Sequence, residues 1–184
     1  EHPDAVWFMD YRNGDGSIAE MCGNGVRAFV EYLRTEGLIE LEVGETVKIG
    51  TRAGVKTVAR TEEGYAIDMG PWSFIHGDAA REGGEDCLVS RGLKTPRAGL
   101  SISMGNPHTV VMLGSDGKLD GLDLHSLPHV SPAPVNGTNV EFVVPVDLDV
   151  ESGAHVGAIR MRVHERGVGE TLSCGTGACA AAAA

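Results

Sequence analysis

Residues 21–37 read "MCGNGVRAFVEYLRTEG", and they change the period of the chain. Val26, Phe29, Val30 and Leu33 fall at i, i+3, i+4 and i+7, the pattern of an amphipathic helix, and Gly37 closes it. Ahead of that helix stands Cys22, followed by Gly-x-Gly. A cysteine at a helix start meets backbone N–H groups that favour its thiolate. The arrangement returns at residues 172–184, "LSCGTGACAAAAA", where Cys174 precedes Gly-x-Gly and a run of alanine. Alanine is the strongest helix former, and its small side chain lets a helix pack closely against a sheet.

The two cysteines belong to a longer echo. "WFMDYRNGDGSIAEMCGNGVRAF" and "IRMRVHERGVGETLSCGTGACAA" both run strand, Gly-rich loop, Cys-Gly-x-Gly, helix. Asn13 lies nine positions before Cys22, and Glu165 lies nine before Cys174. That offset marks a duplicated unit: two half-domains facing each other about a pseudo-two-fold axis.

Between these anchors the chain alternates short apolar runs with turns. Val6 to Asp10 reads as a strand ended by "RNGDGS". Thr46 to Thr51, Val55 to Arg60 and Tyr65 to Met69 read as antiparallel strands by their spacing. "MGPW" at 69–72 and the Gly-, Asp- and Glu-rich stretch to Asp86 mark the domain boundary. Strands resume at Leu100 to Met104, Thr109 to Leu113, Val140 to Val144 and Ala158 to Val163. The expected fold is α+β. A first half-domain covers residues 1–72 and a second 73–184, each carrying one Cys-Gly-x-Gly, with a cleft between them.

Bulk properties narrow the function. The 184 residues are 42% hydrophobic with 26 glycines and only 5% aromatic content, which suits a β-rich fold with many turns. A net charge of −11 without a basic patch argues against nucleic acid or an anionic membrane surface as partner. No apolar run reaches the ~20 residues that span a bilayer. The chain opens at Glu1 without a methionine and ends in alanines, as the remainder of something longer would. Its four cysteines, Cys22, Cys87, Cys174 and Cys179, do not resemble a small disulfide scaffold, and reduced thiols of a cytosolic enzyme are the better reading.

Several motifs reduce to bland readings. Neither glycine loop matches a dinucleotide fingerprint or a P-loop. "YRNGDG" would place Tyr11 and Cys22 at liganding positions of a Ca²⁺ loop, and neither binds calcium. No Cys-x₂₋₄-Cys pair supports zinc. Cys87 and Cys179 read as small buried hydrophobes. "GNPH" places His108 at the entry to an apolar strand, where it can tune a neighbouring pKa. "VHERG" interrupts a strand with three ionisable residues just before Cys174, so Arg166 is a candidate bidentate clamp for a carboxylate.

Cys22 and Cys174 are different. A helix start can draw a thiol from ~8.5 into the ~3.5–7.5 range, and the same N–H groups bind a carboxylate. Two cysteines on opposite sides of a carboxylate-bearing carbon can pass a proton through it, one thiolate removing the α-hydrogen while the other thiol donates. Such a step inverts a stereocentre.

The stretches "YRNGDGS", "AEMCGNGVRAF", "GNPH", "NGTNVEF", "VHERGVGET" and "CGTGACAAA" span almost the whole chain. Together they resemble the diaminopimelate epimerase family, within the cofactor-independent two-cysteine racemases and epimerases. The Asn in "MCGNG" favours that family over proline racemases, which typically carry His there. The paired cysteines argue against the phenazine-biosynthesis-like isomerases. The resemblance implies curved half-barrel sheets around central helices, and interconversion of LL- and meso-diaminopimelate without metal, pyridoxal phosphate or nucleotide. It implies Cys22 and Cys174 as acid and base, with His108 and Glu165 tuning them. Gly23, Asn24, Gly175 and Thr176 would hold the α-carboxylate. Asn13, Asn106, Asn139, Glu165 and Arg166 would hold the substrate at its distal end. It further implies a cytoplasmic enzyme, as a homodimer. The family's opening segment and closing strands have no counterpart here. A racemase of another amino acid and an inactive amino-acid-binding protein on the same scaffold remain the alternatives.

Overall fold

The structure is a computed structural model that describes residues 2–77, 80, 84–91, 93–114, 116–146 and 157–184. Within the acidic boundary stretch, positions 78–79 and 81–83 lie outside the described residues.

The first unit is a four-stranded sheet ordered β1 (Trp7–Phe8), β2 (Thr46–Thr51), β3 (Gly54–Thr61), β4 (Gly64–Ile67), with helix α1 (Gly23–Thr35) inserted between its first two strands. The 3.6-residue stripe of α1 explains the packing. Val26, Val30 and Leu33 are buried against Ile49 and Val58 of the sheet, and each such side chain contributes on the order of 1.5–3 kcal/mol. The helix ends where Gly37 takes φ +66°. There the Leu38 N–H donates to the Leu33 carbonyl (2.9 Å) and the Gly37 N–H to that of Arg34 (3.1 Å), a geometry that a left-handed glycine permits. The strand expected over 6–10 is shorter, and β1 pairs parallel to β2 because α1 carries the chain back to the same end.

The second sheet runs β12 (Gly169–Thr171), β11 (Ala158–Glu165), β10 (Asn139–Val146), β8 (Pro107–Met112), β7 (Arg97–Ser103), β6 (Cys87–Ser90), β9 (His129–Ser131), with β5 (Ser73–Phe74) paired to β7. Pairing is antiparallel except β10 with β8, which run parallel. Both faces are covered. The short helix α2 (Asp116–Asp120) and its flanking residues close a core of Val111, Leu119, Leu124 and Phe142 on one face. On the other, helix α3 (Gly175–Ala183) buries Ala180 and Ala181 against Leu100, Ile102, Met104, Val110 and Val143. The architecture is α+β, with curved half-barrel sheets, each packed against one of the two cysteine-capped helices. Strands β5, β6, β9 and β12 were not anticipated: they have two to four residues, too few to display a period.

Candidate active site

Cys22 and Cys174 each occupy the position just before a helix, with extended backbone: φ −142°, ψ 114° and φ −133°, ψ 111°. Each sulfur accepts a hydrogen bond from the N–H three residues on, Gly25 to Cys22 Sγ at 3.3 Å and Gly177 to Cys174 Sγ at 3.4 Å. The caps satisfy one orphan N–H of each helix. The two helix starts then meet. A methyl group on Gly23 would lie 3.7 Å from the Gly175 Cα, and one on Gly175 would lie 3.7 Å from that of Gly23. Asn24 Nδ2 donates to Ser173 Oγ across the join (3.0 Å).

The loops leading into the caps repeat the symmetry. Gly16 N–H donates to the Asn13 carbonyl (2.9 Å), and Val168 N–H donates to that of Glu165 (3.2 Å). The loops also touch. Gly167 has φ +75°, a conformation that favours glycine, and a Cβ there would stand 2.7 Å from the exposed Asp15 Oδ2.

A cavity of about 880 Å³ opens beside the join. Asn13, Cys22, Gly23, Asn24, Asn106 and Asn139 line it, as do Glu165, Arg166, Cys174, Gly175 and Thr176. His108 is not among the lining residues: it is fully buried behind Asn106. Asn139 is committed to bracing, its Nδ2 donating to the Pro107 carbonyl (3.1 Å) and its Oδ1 accepting from Arg166 N–H (2.9 Å). The Arg166 guanidinium binds Glu20 Oε2 (2.5 Å) and the Asn136 carbonyl (3.1 Å). Glu165 accepts from Thr171 Oγ1.

Position, not charge environment, separates the two capping thiols from the other two, because only Cys22 and Cys174 stand at helix starts. All four cysteines are free. Burial pushes the Cys174 thiol up to about 11; the Thr176 hydroxyl opposes that rise, and the Glu165 charge adds to it. The lowering expected of a helix start is therefore outweighed at Cys174 by desolvation. Burial also pushes Cys87 up to about 11. Cys87 and Cys179 pack against core clusters as small hydrophobes.

Four residues at or behind the site escaped the sequence reading. Tyr11 lines the cavity, and its hydrogen bond with Cys22, aided by burial, pushes its phenol up to about 12. Arg52 fixes the loop that carries it, donating to the Tyr11 carbonyl (3.0 Å). Glu20 pairs with Arg166, and Glu141 lies fully buried against His108. Tyr11, Glu20 and Glu141 stood inside the quoted motifs "YRNGDGS", "AEMCGNGVRAF" and "NGTNVEF". Only the fold shows where their side chains meet.

The chain is similar to proteins already known. The family model described as diaminopimelate epimerase matches residues 2–75 and 100–184. A diaminopimelate epimerase of Streptomyces coelicolor is 45% identical over 185 residues, covering 98% of this chain and 56% of the relative. One of Rhodococcus erythropolis is 42% identical over 189 residues, covering 99% of this chain and 59% of the relative. The chain thus spans under two thirds of the length of these relatives. A solved structure of a probable proline racemase from Agrobacterium radiobacter, with bound carbonate, aligns at TM-score 0.61 and 18% identity, covering 96% of this chain and 55% of that one. At that identity the likeness speaks for the fold alone. With its family model matched along most of its length, the chain belongs to the diaminopimelate epimerase family.

Proposed function

We propose that the cavity beside Cys22 and Cys174 interconverts LL- and meso-2,6-diaminopimelate by proton transfer at the α-carbon. One cysteine, as thiolate, takes the α-hydrogen: its S–H bond forms as the C–H bond breaks. The other thiol gives its proton to the opposite face, so a new C–H bond forms and that sulfur becomes the thiolate. The sum is one inverted centre, with the protonation states of the two cysteines exchanged. The observation that carries this reading is the meeting of two cysteine-capped helix starts over one cavity. Their N–H groups at Gly23, Asn24, Gly175 and Thr176 suit the α-carboxylate and the charge that develops on it in the transition state. The chemistry asks nothing of a cofactor.

Arg166, Glu165, Asn13 and Asn106 would recognise the distal amino acid end, with Asn139 bracing Arg166. His108 would act on the thiols from behind, and Glu165 from the cavity wall. In this reading residues 1–72 and 73–184 are half-domains that each supply one catalytic thiol. The reaction would serve lysine and peptidoglycan precursor supply, and the reading goes with a cytoplasmic enzyme and a homodimer. Proton NMR with diaminopimelate in D₂O tests the reading. Deuterium should enter the α-position as the isomers equilibrate, and an undiminished α-proton signal would sink it. A racemase of another amino acid would turn over lysine or proline at comparable rates. An inactive binding protein has no use for two mirrored thiols.

A further inference from the structure

From Cys174 at the cavity wall, a line of buried polar side chains runs inward to His108 and Glu141, which no solvent reaches. Glu141 Oε1 is 2.7 Å from His108 Nδ1, and both side chains are 0% exposed. His108 Nε2 is 3.1 Å from Asn106 Oδ1, Asn106 Nδ2 is 3.3 Å from Thr176 Oγ1, and Thr176 Oγ1 is 3.4 Å from Cys174 Sγ. All five residues are buried. We propose that Glu141 is a positioning residue that sets, through His108, Asn106 and Thr176, the direction of this hydrogen-bond chain, so that its last hydrogen is donated to Cys174 Sγ.

The direction follows from donor bookkeeping. Asn106 Nδ2 can only donate, so Thr176 Oγ1 accepts from it and keeps its own hydrogen for the sulfur. Asn106 Oδ1 can only accept, so His108 Nε2 carries a hydrogen. His108 Nδ1 and Glu141 Oε1 then share one proton. The pair is neutral overall whether that proton sits on the acid or on the ring. The reverse direction needs a carboxylate beside a neutral imidazole, a net negative charge with no solvent contact. Glu141 Oε2 has no hydrogen-bond partner among the described residues, which a neutral acid tolerates far better than a carboxylate. Burial also pushes the Glu141 carboxyl up, toward its protonated form.

The third glycine-motif position brings the acid and the thiol together. A Cβ on Gly177 would stand 2.6 Å from Glu141 Oε1, so glycine lets the first turn of α3 settle onto Glu141. Other ionisable groups act on Cys174 from outside the chain: Glu165 from β11 and Tyr11 from the loop after β1. Neither links Glu141 to the sulfur. The purpose of the device rests on the proposed reaction, in which Cys174 alternates between thiol and thiolate. A donor aimed at a buried sulfur eases the thiolate state.

The test needs no substrate, so it fails or succeeds independently of the epimerase reading. Alkylation by iodoacetamide, mapped by peptide mass spectrometry across pH, reports Cys174 against Cys22 in the same sample. Glu141→Met removes the donor to Nδ1 and lets the imidazole reverse. Glu141→Gln keeps an N–H there and so keeps the direction. Thr176→Val cuts the last link. We expect Glu141→Met and Thr176→Val each to slow Cys174 alkylation about tenfold relative to Cys22, with the profile moved about one pH unit upward, as loss of a hydrogen bond to a charged atom does. Glu141→Gln should stay near wild type, and the double variant Glu141→Met/Thr176→Val should be no slower than either single one. Unchanged alkylation in Glu141→Met, a Gln variant as slow as the Met variant, or additive losses in the double variant would each overturn the proposal. Should Glu141→Met fail to fold by circular dichroism, Thr176→Val and Glu141→Gln decide it: one must slow and the other must not.

Discussion

Cys22 and Cys174 cap their helices with backbone angles that differ by less than 10°, yet the two thiols live in different surroundings. Cys22 is half-buried, with the Tyr11 phenol as its neighbour. Cys174 is buried, held by the Thr176 hydroxyl at the end of a chain that reaches Glu141. The third-position glycines differ in the same way. A Cβ on Gly25 would meet Cys22 Cβ and the Tyr11 ring at 3.3 Å, while one on Gly177 would press Glu141 Oε1 at 2.6 Å. A duplicated backbone has thus been furnished with two unlike environments. In the proposed reaction the two faces of the α-carbon would meet thiols in unlike surroundings, while the two helix starts proposed for the carboxylate stay symmetric.

The largest effects should ignore that difference. Cys22→Ala and Cys174→Ala are each expected to cut epimerisation, measured as initial rates in both directions, by about 10²–10⁴-fold. Loss confined to one variant would mean a single base and break the pairing. Next comes the clamp that joins the units, since Glu20 belongs to the first and Arg166 to the second. Arg166→Met should cost about 2–3 kcal/mol in kcat/KM for diaminopimelate, as removal of a charged hydrogen-bond partner does. An unchanged kcat/KM would leave Arg166 a purely structural bridge.

Smaller effects should expose the asymmetry. Gly177→Ala should lower the urea-unfolding free energy by about 1–3 kcal/mol through overpacking against Glu141. Gly25→Ala should stay within about 1 kcal/mol of neutral, because alanine's helix preference offsets a lighter contact. Equal losses would erase the distinction. The weakest signal is in alkali. Folded Cys174 and Cys87 hold their protons to about pH 11, whereas the thiols ordinarily titrate near 9.0. Folding takes up protons between those values, so this stabilisation is complete below pH 9 and is lost as pH rises through 11. Urea midpoints should fall over that window, and less steeply in Cys174→Ala. An identical slope in the variant would show that Cys174 is not desolvated.

Much of this was legible beforehand because it depends on local pattern. The stripe Val26, Phe29, Val30, Leu33 declared α1, and alternation around tight turns declared β2 to β4. The cysteine spacing brought the caps together, since a repeated backbone unit places equivalent residues equivalently. What stayed hidden depends on depth. "NVEFV" reads as a strand with one acid in it, and nothing in it says that Glu141 faces His108 rather than solvent. The parallel pairing of β8 with β10 joins segments some 30 residues apart through a long crossover, which no short window displays. Tyr11 and Glu20 touch their partners through loops, where neither period of regular structure applies.

The two helices also differ in how far their sequences can drift. α1 is gripped by Val26, Val30 and Leu33, bulky side chains whose interlocking survives a Val-to-Ile exchange with modest repacking. α3 meets Leu100, Ile102 and Val143 through Ala180 and Ala181, with almost no side chain between its backbone and the sheet. Any larger residue there must lift the whole helix, and Cys174 with it. Random mutagenesis should therefore return a varied set of active sequences at Val26, Val30 and Leu33 and a nearly monotonous one at Ala180 and Ala181, a contrast set by the distance between backbone and sheet.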